Sequence, residues 1–261
     1  MTESLSMQLS GFASIYLLLL IVGAIFRKCH IQQTKFLLLA SLQMTVQLII
    51  AGYVLLYIFK YPSPIFTCTY LALMIGFAIH RALNKNKWLN YKFKWITVLS
   101  ILLSGAFIVG FMMIAVIQKD IFTPQYIIPI SGMLVSAIMN GSTLALKAFR
   151  ESMDGQRNRI EVLMNIGTPP QEIVHPFVNQ AMETALLPTL NNMVGMGIVS
   201  LPGMMTGQIL AGALPNEAVL YQITIMIANS TAVSLVSFAT LYFGCRTLWN
   251  DRYQITIPSA K

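Results

Sequence analysis

Seven long apolar stretches set the strongest limit on how this chain can fold. An α-helix needs about 20 predominantly apolar residues to cross the hydrocarbon core of a bilayer. The stretches cover residues 7–26, 36–59, 64–80, 95–117, 125–146, 186–213 and 218–245. Only 10% of the 261 residues are charged, whereas soluble domains carry about a quarter. We therefore predict an all-α membrane bundle of seven spans, with residues 1–261 forming a single transmembrane domain.

The distribution of Lys and Arg predicts the orientation of this bundle, because these residues concentrate in the cytosolic loops of membrane proteins. All 17 of them except Lys60 and Lys119 fall on the same side of the predicted spans. We therefore expect the N-terminus outside and the C-terminus in the cytosol, in a plasma or inner membrane. The basic residues alternate with the spans, so we attribute the net charge of +8 to this topology. We expect contact with membrane lipid and none with nucleic acid.

The longest predicted cytosolic loop, residues 149–178, combines a short amphipathic helix with a sharp turn. Three apolar residues share one face of the helix: Ile160, Leu163 and Met164. Gly167 can end this helix in the left-handed conformation. We expect Thr168 to cap the next helix, with Pro169 at its first position. The arrangement is typical of a segment that passes force from the cytosolic surface into the membrane.

The sixth span contains a proline beside several small and polar residues. Pro202 lacks the N–H that continues a helix, and the carbonyl left unpaired must face protein or water. We therefore expect a kink or two half-helices there. The polar residues near the break are Asn191, Asn192, Ser200, Thr206 and Gln208, and the spacing of Gly203 and Gly207 favours close helix packing. The span is either a kinked packing helix or a helix that lines a translocation path or a dimer interface.

Two further pairs of polar residues lie inside predicted spans. Gln43 and Gln47 are one turn apart in the second span, and Asn140 and Thr143 are neighbours in the fifth. Amides in membrane helices hydrogen-bond to other helices or line a polar path, and both interpretations stay open. The glycosylation sequons at Asn140 and Asn229 fall inside spans, so we interpret them as chance matches.

No charged residue lies within the seven predicted spans, and the sequence has no nucleotide-binding motif. Ion-coupled carriers usually keep a charged residue at membrane depth, and ATP-binding chains carry a phosphate loop of the form G-x-x-x-x-G-K-[ST]. The spans also lack paired carboxylates and a Ser/His pair. We therefore expect neither an enzyme nor a bound cofactor, and the energy for any transport must come from elsewhere.

The sequence gives no clear ligand set for a metal, and the metal site is unknown. Its 16 methionines offer thioethers that suit a soft ion such as Cu(I). Met204 and Met205 are the first candidates, although methionine is also a common apolar filler. The three cysteines form no C-x-x-C pair, and we expect no disulfide framework.

Two blocks of sequence resemble known membrane proteins. Residues 161–173, followed by Ala-Leu-Leu-Pro at 185–188, resemble the cytosolic coupling loop of ABC-transporter permeases, although Val-Leu replaces the usual Ala-Ala after Glu161. Residues 199–212, together with the segments at 47–53, 128–133 and 221–222, are similar to the FetB-type iron-export permease family and to plant aluminium-tolerance membrane subunits.

This resemblance implies a permease that exports iron or another metal with a separate ATP-binding cassette protein, and that partner binds the ATP. We expect the ATPase to act on the coupling loop and two copies of the chain to form the permease. The expected coupling residues are Arg157, Ile160, Glu161, Leu163, Met164, Gly167, Pro169 and Pro170. The expected path or helix-break residues are Gln43, Gln47, Asn140, Ser200, Pro202, Gly203, Met204, Met205 and Gly207. The alternatives are a secondary metal or small-solute carrier that works alone and a membrane scaffold that transports nothing.

Overall fold

The structure is a computed structural model that describes residues 14–118 and 123–250. Its regular elements are helices, which confirms the predicted all-α class. They are α1 (Leu17–Lys28), α2 (Thr34–Lys60), α3 (Pro64–Lys85), α4 (Tyr91–Phe111, continued by a π-helix over Met112–Ile117), α5 (Pro124–Gly155), α6 (Arg157–Asn165), α7 (Pro170–Gly195), α8 (Gly203–Leu210) and α9 (Pro215–Cys245). The expectations for residues 7–13, Lys119, Arg252 and Lys261 lie outside the described residues.

The chain divides into two compact units, and the first one ends at Tyr61. Its two described helices, α1 and α2, pack against each other. The helix α2 is 27 residues long. Gln43 and Gln47 occupy exposed positions on it.

The second unit, from Pro62 onward, is built around α5. Helix α5 packs against α3, α4, α7 and α9, and α9 also packs against α4, α7 and α8. Two glycines permit the closest approaches. A Cβ added at Gly141 of α5 would lie 2.8 Å from Val233 Cγ1 of α9, and one at Gly244 of α9 would lie 2.0 Å from Phe93 Cε2 of α4. These positions bring backbones together where larger residues would hold the helices apart.

Among the described residues, five helices are long and apolar enough to cross a membrane: Thr34–Lys60, Pro64–Lys85, Tyr91–Ile117, Pro124–Gly155 and Pro215–Phe243. They coincide with the second, third, fourth, fifth and seventh predicted spans. Helix α5 continues to Gly155, beyond the predicted end of its span at residue 146. The reason is that Phe149 and Met153 keep one face buried after the apolar run has ended.

The predicted sixth span, residues 186–213, is two helices and not one. Helix α7 begins at Pro170, inside the predicted loop, and ends at Gly195 before α8 starts at Gly203. Between them Gly197 adopts a φ of +85°, and its N–H donates to the Ser200 carbonyl at 2.9 Å. This left-handed turn interrupts the helix before Pro202 is reached. The expected break is confirmed, but Pro202 lies at the N-cap of α8 and not inside a helix.

Candidate functional site

Helix α6 is amphipathic, and its apolar face packs against the other helices of the second unit. Ile160 is only 1% exposed, and Leu163 and Met164 are partly buried against the same apolar cluster. The opposite face is open, because Val162 is 59% exposed and Ile166, the C-cap residue, is 72% exposed. The exposed charged residues of the helix are Arg157, Arg159 and Glu161. The helix therefore has one face for the bundle and another for solvent or a partner.

The cluster that receives this face joins the ends of five helices. We call it the Trp88 cluster, and its members include Trp88, Phe93, Phe149, Ile160, Val174 and Leu241. The Trp88 ring stacks on Phe149 at 6.3 Å between centroids and meets Phe93 edge-on at 5.7 Å. Close-packed interiors transmit strain. A displacement of α6 therefore acts on the packing of α4, α5, α7 and α9 together.

A tight elbow follows α6. Gly167 has a φ of +83°, which an L-residue with a side chain rarely adopts. Its N–H donates to the Met164 carbonyl at 3.1 Å, and the Thr168 N–H donates to the Leu163 carbonyl at 3.0 Å. This pair of hydrogen bonds defines a Schellman motif. The prediction that Gly167 ends the helix in the left-handed conformation is confirmed.

The cap predicted for the next helix is wrong. Helix α7 begins at Pro170 with Pro169 as its N-cap residue, and the described residues supply no side-chain hydrogen bond at this cap. Thr168 therefore does not cap this helix, and Pro169 precedes its first position. Proline suits that first position because its missing N–H would have no partner there. Ile173 and Val174 join the Trp88 cluster, so burial of the first turn fixes the start of α7 without a side-chain cap.

Ion pairs surround the junction of α5 and α6. Asp154 accepts from Arg150 Nε at 3.3 Å and lies 3.5 Å from Arg157, the first residue of α6. Lys147 and Glu151 pair at 3.7 Å within α5. The Asp154 carboxylate is thus the link between charged groups of the two helices.

A groove of about 590 Å³ runs between α5, α7 and α9. Its lining residues recur at helical spacing on each of the three helices. They are Pro129, Gly132, Met133, Ser136, Ala137, Asn140, Gly141 and Leu144 of α5, then Ala185, Pro188, Thr189 and Asn192 of α7, then Met226, Asn229 and Val233 of α9. One continuous face of each helix therefore borders the groove.

Polar side chains are concentrated in this groove. Ser136 and Asn140 are one turn apart on α5 and are exposed, as is Asn192 on α7. The Asn229 Oδ1 atom is buried and accepts no hydrogen bond from the described residues. Ser136, Asn140 and Asn229 lie in helices of membrane-spanning length, where a polar group facing lipid is costly. These side chains therefore require water, solute or protein opposite them.

A second cavity of about 610 Å³ adjoins the groove, since Asn140 and Leu144 line both. Its other lining residues are Lys85, Asn86, Trp88, Thr143, Lys147, Arg150, Glu151 and Asp154. The Arg150 guanidinium lies over the Trp88 ring, 5.9 Å from its centroid. The uncharged groove thus leads into a charged vestibule bordered by the Trp88 cluster and by the ion pairs of the α5–α6 junction.

The structure brings together only part of the predicted path. Asn140 lines the groove, joined there by Asn192. Gln43 and Gln47 belong to the first unit. The remaining predicted residues lie in the turn after α7 or in α8 and do not line the groove: Ser200, Pro202, Gly203, Met204, Met205 and Gly207. A Cβ added at Gly203 or Gly207 would meet no atom of the described residues within 4 Å.

Sequence reasoning missed several groove residues: Met133, Ser136, Thr189, Met226 and Asn229. A signal for one helix was present, because Gly132, Ser136, Asn140 and Gly141 put small and polar residues on a single face of α5. Across the described ranges, no group of three His, Cys, Asp or Glu side chains converges as a metal site would require.

Comparison with known proteins places the chain in a group of membrane proteins. Residues 9–249 match the family described as "Uncharacterised protein family (UPF0014)". The "UPF0014 membrane protein slr1647" of Synechocystis is 33% identical, covering 85% of this chain and 86% of the relative. "Protein ALUMINUM SENSITIVE 3" of Arabidopsis thaliana is 30% identical, over 80% and 76%. The "Probable iron export permease protein FetB" of Escherichia coli is 29% identical, over 83% and 82%. No solved structure matches the chain.

Proposed function

Because this multi-pass membrane protein belongs to the UPF0014 family, we propose that it is the permease subunit of an ABC transporter that exports iron or another metal cation. The observation that carries the proposal is the groove between α5, α7 and α9. It places exposed polar residues inside membrane-length helices, and it adjoins a vestibule beside α6. The name of the Escherichia coli relative supports iron export as the activity.

In this proposal the chain crosses the membrane seven times, with the N-terminus outside and α6 on the cytosolic side. Two copies form the permease. The groove of each copy faces the translocation path between them, so the polar residues of the groove do not contact lipid. The chain is not itself an enzyme, and ATP binds to a separate cytosolic ATPase subunit. The basic residues near the vestibule support this orientation.

The coupling mechanism follows from the two faces of α6. The ATPase docks on the open face formed by Val162, Ile166 and the charged residues Arg157, Arg159 and Glu161. Its movement on ATP binding shifts α6, and the buried Ile160 transmits the shift to the Trp88 cluster. Because Phe149 of that cluster lies on α5, which also carries Asn140, the same helix connects the ATPase contact to the groove.

The variant Val162→Asp tests this proposal. Val162 is largely exposed, so an aspartate there does not disturb the folded chain. If the ATPase covers this position, however, the new carboxylate loses its water, and binding weakens. We expect binding of the ATPase to weaken about 30-fold or more, because the loss of an interface hot spot costs about 2 kcal/mol or more. The measurements are co-purification of the ATPase and ATP hydrolysis stimulated by the permease.

The matched control is Asn84→Asp, which adds the same charge at an exposed position of α3 outside the vestibule lining. We expect the Asn84→Asp variant to bind the ATPase and to stimulate ATP hydrolysis as strongly as the unaltered chain. Equal binding and hydrolysis for Val162→Asp and the unaltered chain would contradict a docking role for α6.

A further inference from the structure

The groove between α5, α7 and α9 is lined entirely by uncharged residues of the described chain. Its polar groups are the amides of Asn140, Asn192 and Asn229 and the hydroxyls of Ser136 and Thr189. The thioethers of Met133 and Met226 complete the set. Sites that hold a bare divalent transition metal generally use carboxylate, imidazole or thiolate ligands, whereas thioethers suit Cu(I). The groove offers none of these three ligand types.

Neutral ligands alone are a poor replacement for the water around a small divalent ion. Burying an ionised group without compensating charge carries a large desolvation cost. Amide and hydroxyl oxygens supply dipoles but no opposite charge. An ion that keeps its own water avoids most of this cost, because the water shell remains as the first layer of dipoles.

The groove has the right chemistry for such a shell. Metal-bound water turns its oxygen to the ion and its hydrogens outward, so the surrounding protein must accept hydrogen bonds. Asn229 Oδ1 is a buried acceptor that receives no hydrogen bond from the described part of the chain.

The groove also has the right size. A water molecule occupies about 30 Å³ in the liquid, so an ion with six waters needs roughly 200 Å³. The groove volume of about 590 Å³ holds this complex with room for further water. A bare ion would leave most of the groove unfilled.

We propose that the groove binds a divalent metal cation with its first water shell intact, through hydrogen bonds from the shell to Asn140, Asn192 and Asn229. The role of this cation as cargo rests on the proposed transport function, whereas its binding does not. In this arrangement the side chains of Met133 and Met226 line the groove as apolar groups and do not coordinate the ion.

Hexaamminecobalt(III) tests the proposal, because its six ammine ligands do not exchange and it cannot enter a site that requires a bare ion. Binding to the purified full-length chain in lipid nanodiscs is measured by calorimetry, in competition with Mn²⁺ and at constant ionic strength. We expect hexaamminecobalt(III) to bind and Mn²⁺ to displace it. In Asn140→Leu and Asn229→Leu the affinity falls about tenfold, as for the loss of a hydrogen bond to a charged group.

Two kinds of control variant separate this groove from other sites. Met133→Leu and Met226→Leu keep the thioether volume and remove the sulfur, and we expect unchanged affinity. Glu151→Gln removes a carboxylate from the neighbouring vestibule, and we expect it to bind hexaamminecobalt(III) as the unaltered chain does.

Three results would overturn the inference: no binding of hexaamminecobalt(III), loss of binding in the methionine variants with the asparagine variants unaffected, or loss only in Glu151→Gln. ATP-dependent metal transport without hexaamminecobalt(III) binding would leave the proposed function in place and remove this inference alone. If hexaamminecobalt(III) binding depends on Asn140 and Asn229 but the chain transports no metal, this inference stands and the proposed transport function falls.

Discussion

Single glycines decide how closely the helices of the second unit approach. The Phe93 ring is fully buried and occupies the space where a side chain at Gly244 would begin. Gly141 has the same relation to Val233, at the border of the groove. Both contacts join α9 to a neighbouring helix, so the absence of a Cβ at these two positions sets the distances between helix axes.

Gly244→Ala is therefore expected to destabilise the fold. The new Cβ would lie 2.0 Å from Phe93 Cε2, and the ring has no free space to enter. Overpacking of this kind costs about 1–3 kcal/mol. Thermal unfolding of the detergent-solubilised chain measures the change. Gly110→Ala, in α4, places its new Cβ more than 4 Å from every atom of the described residues outside its own turn. This control leaves stability equal or higher, because alanine favours helix. Equal unfolding temperatures for Gly244→Ala and the unaltered chain would contradict the close contact.

Among the helices, α5 connects the parts of the proposed mechanism. Its middle section lines the groove, its C-terminal section borders the vestibule, and its end packs against α6. Asp154, near that end, pairs with Arg150 of the same helix and with Arg157 of α6. Side chains at this junction are partly exposed, so their attraction is weakened by water and salt.

Asp154→Asn separates coupling from stability at this junction. We expect the free energy of unfolding to fall by less than about 1 kcal/mol, because exposed ion pairs contribute little. ATP hydrolysis stimulated by the permease is expected to fall more, since the link between α5 and α6 is lost. Glu151→Gln, which breaks only a pair within α5, keeps the coupling. A variant Asp154→Asn with full stimulated hydrolysis would show that the junction transmits force through the apolar contacts alone.

Much of the helix layout was predictable because length and apolar composition are local properties. The predicted span at 95–117 ends where the observed helix ends, although that helix begins four residues earlier, at Tyr91. The left-handed conformation at Gly167 follows from the residues around it. The groove was not predictable in full, because the partners of Asn140 come from α7 and α9 and depend on which helix faces meet. The sequence marks Asn229 only as part of a sequon, because it does not show that this face of α9 meets α5 and α7. The sequence predicts the break at Pro202, whereas α7 already ends at Gly195, just before the left-handed Gly197.

At the scale of the whole molecule, the proposed topology predicts which thiols face which side. Cys29 follows α1 and is exposed, Cys68 is exposed on α3, and Cys245 is buried. We expect a membrane-impermeant maleimide to label Cys29 in inside-out vesicles and not in intact cells. Cys29→Ser, the control, abolishes this labelling. Labelling of Cys29 from the outside of intact cells would contradict an external N-terminus.

In the proposed function, this chain is a permease that moves metal only when a separate ATPase hydrolyses ATP. The most direct measurement is metal movement across vesicles that contain the purified chain, with and without its ATPase and ATP. We predict transport only when ATPase and hydrolysable ATP are both present, and none for the chain alone. Full metal transport by the chain alone in pure lipid vesicles, without nucleotide, would contradict the account.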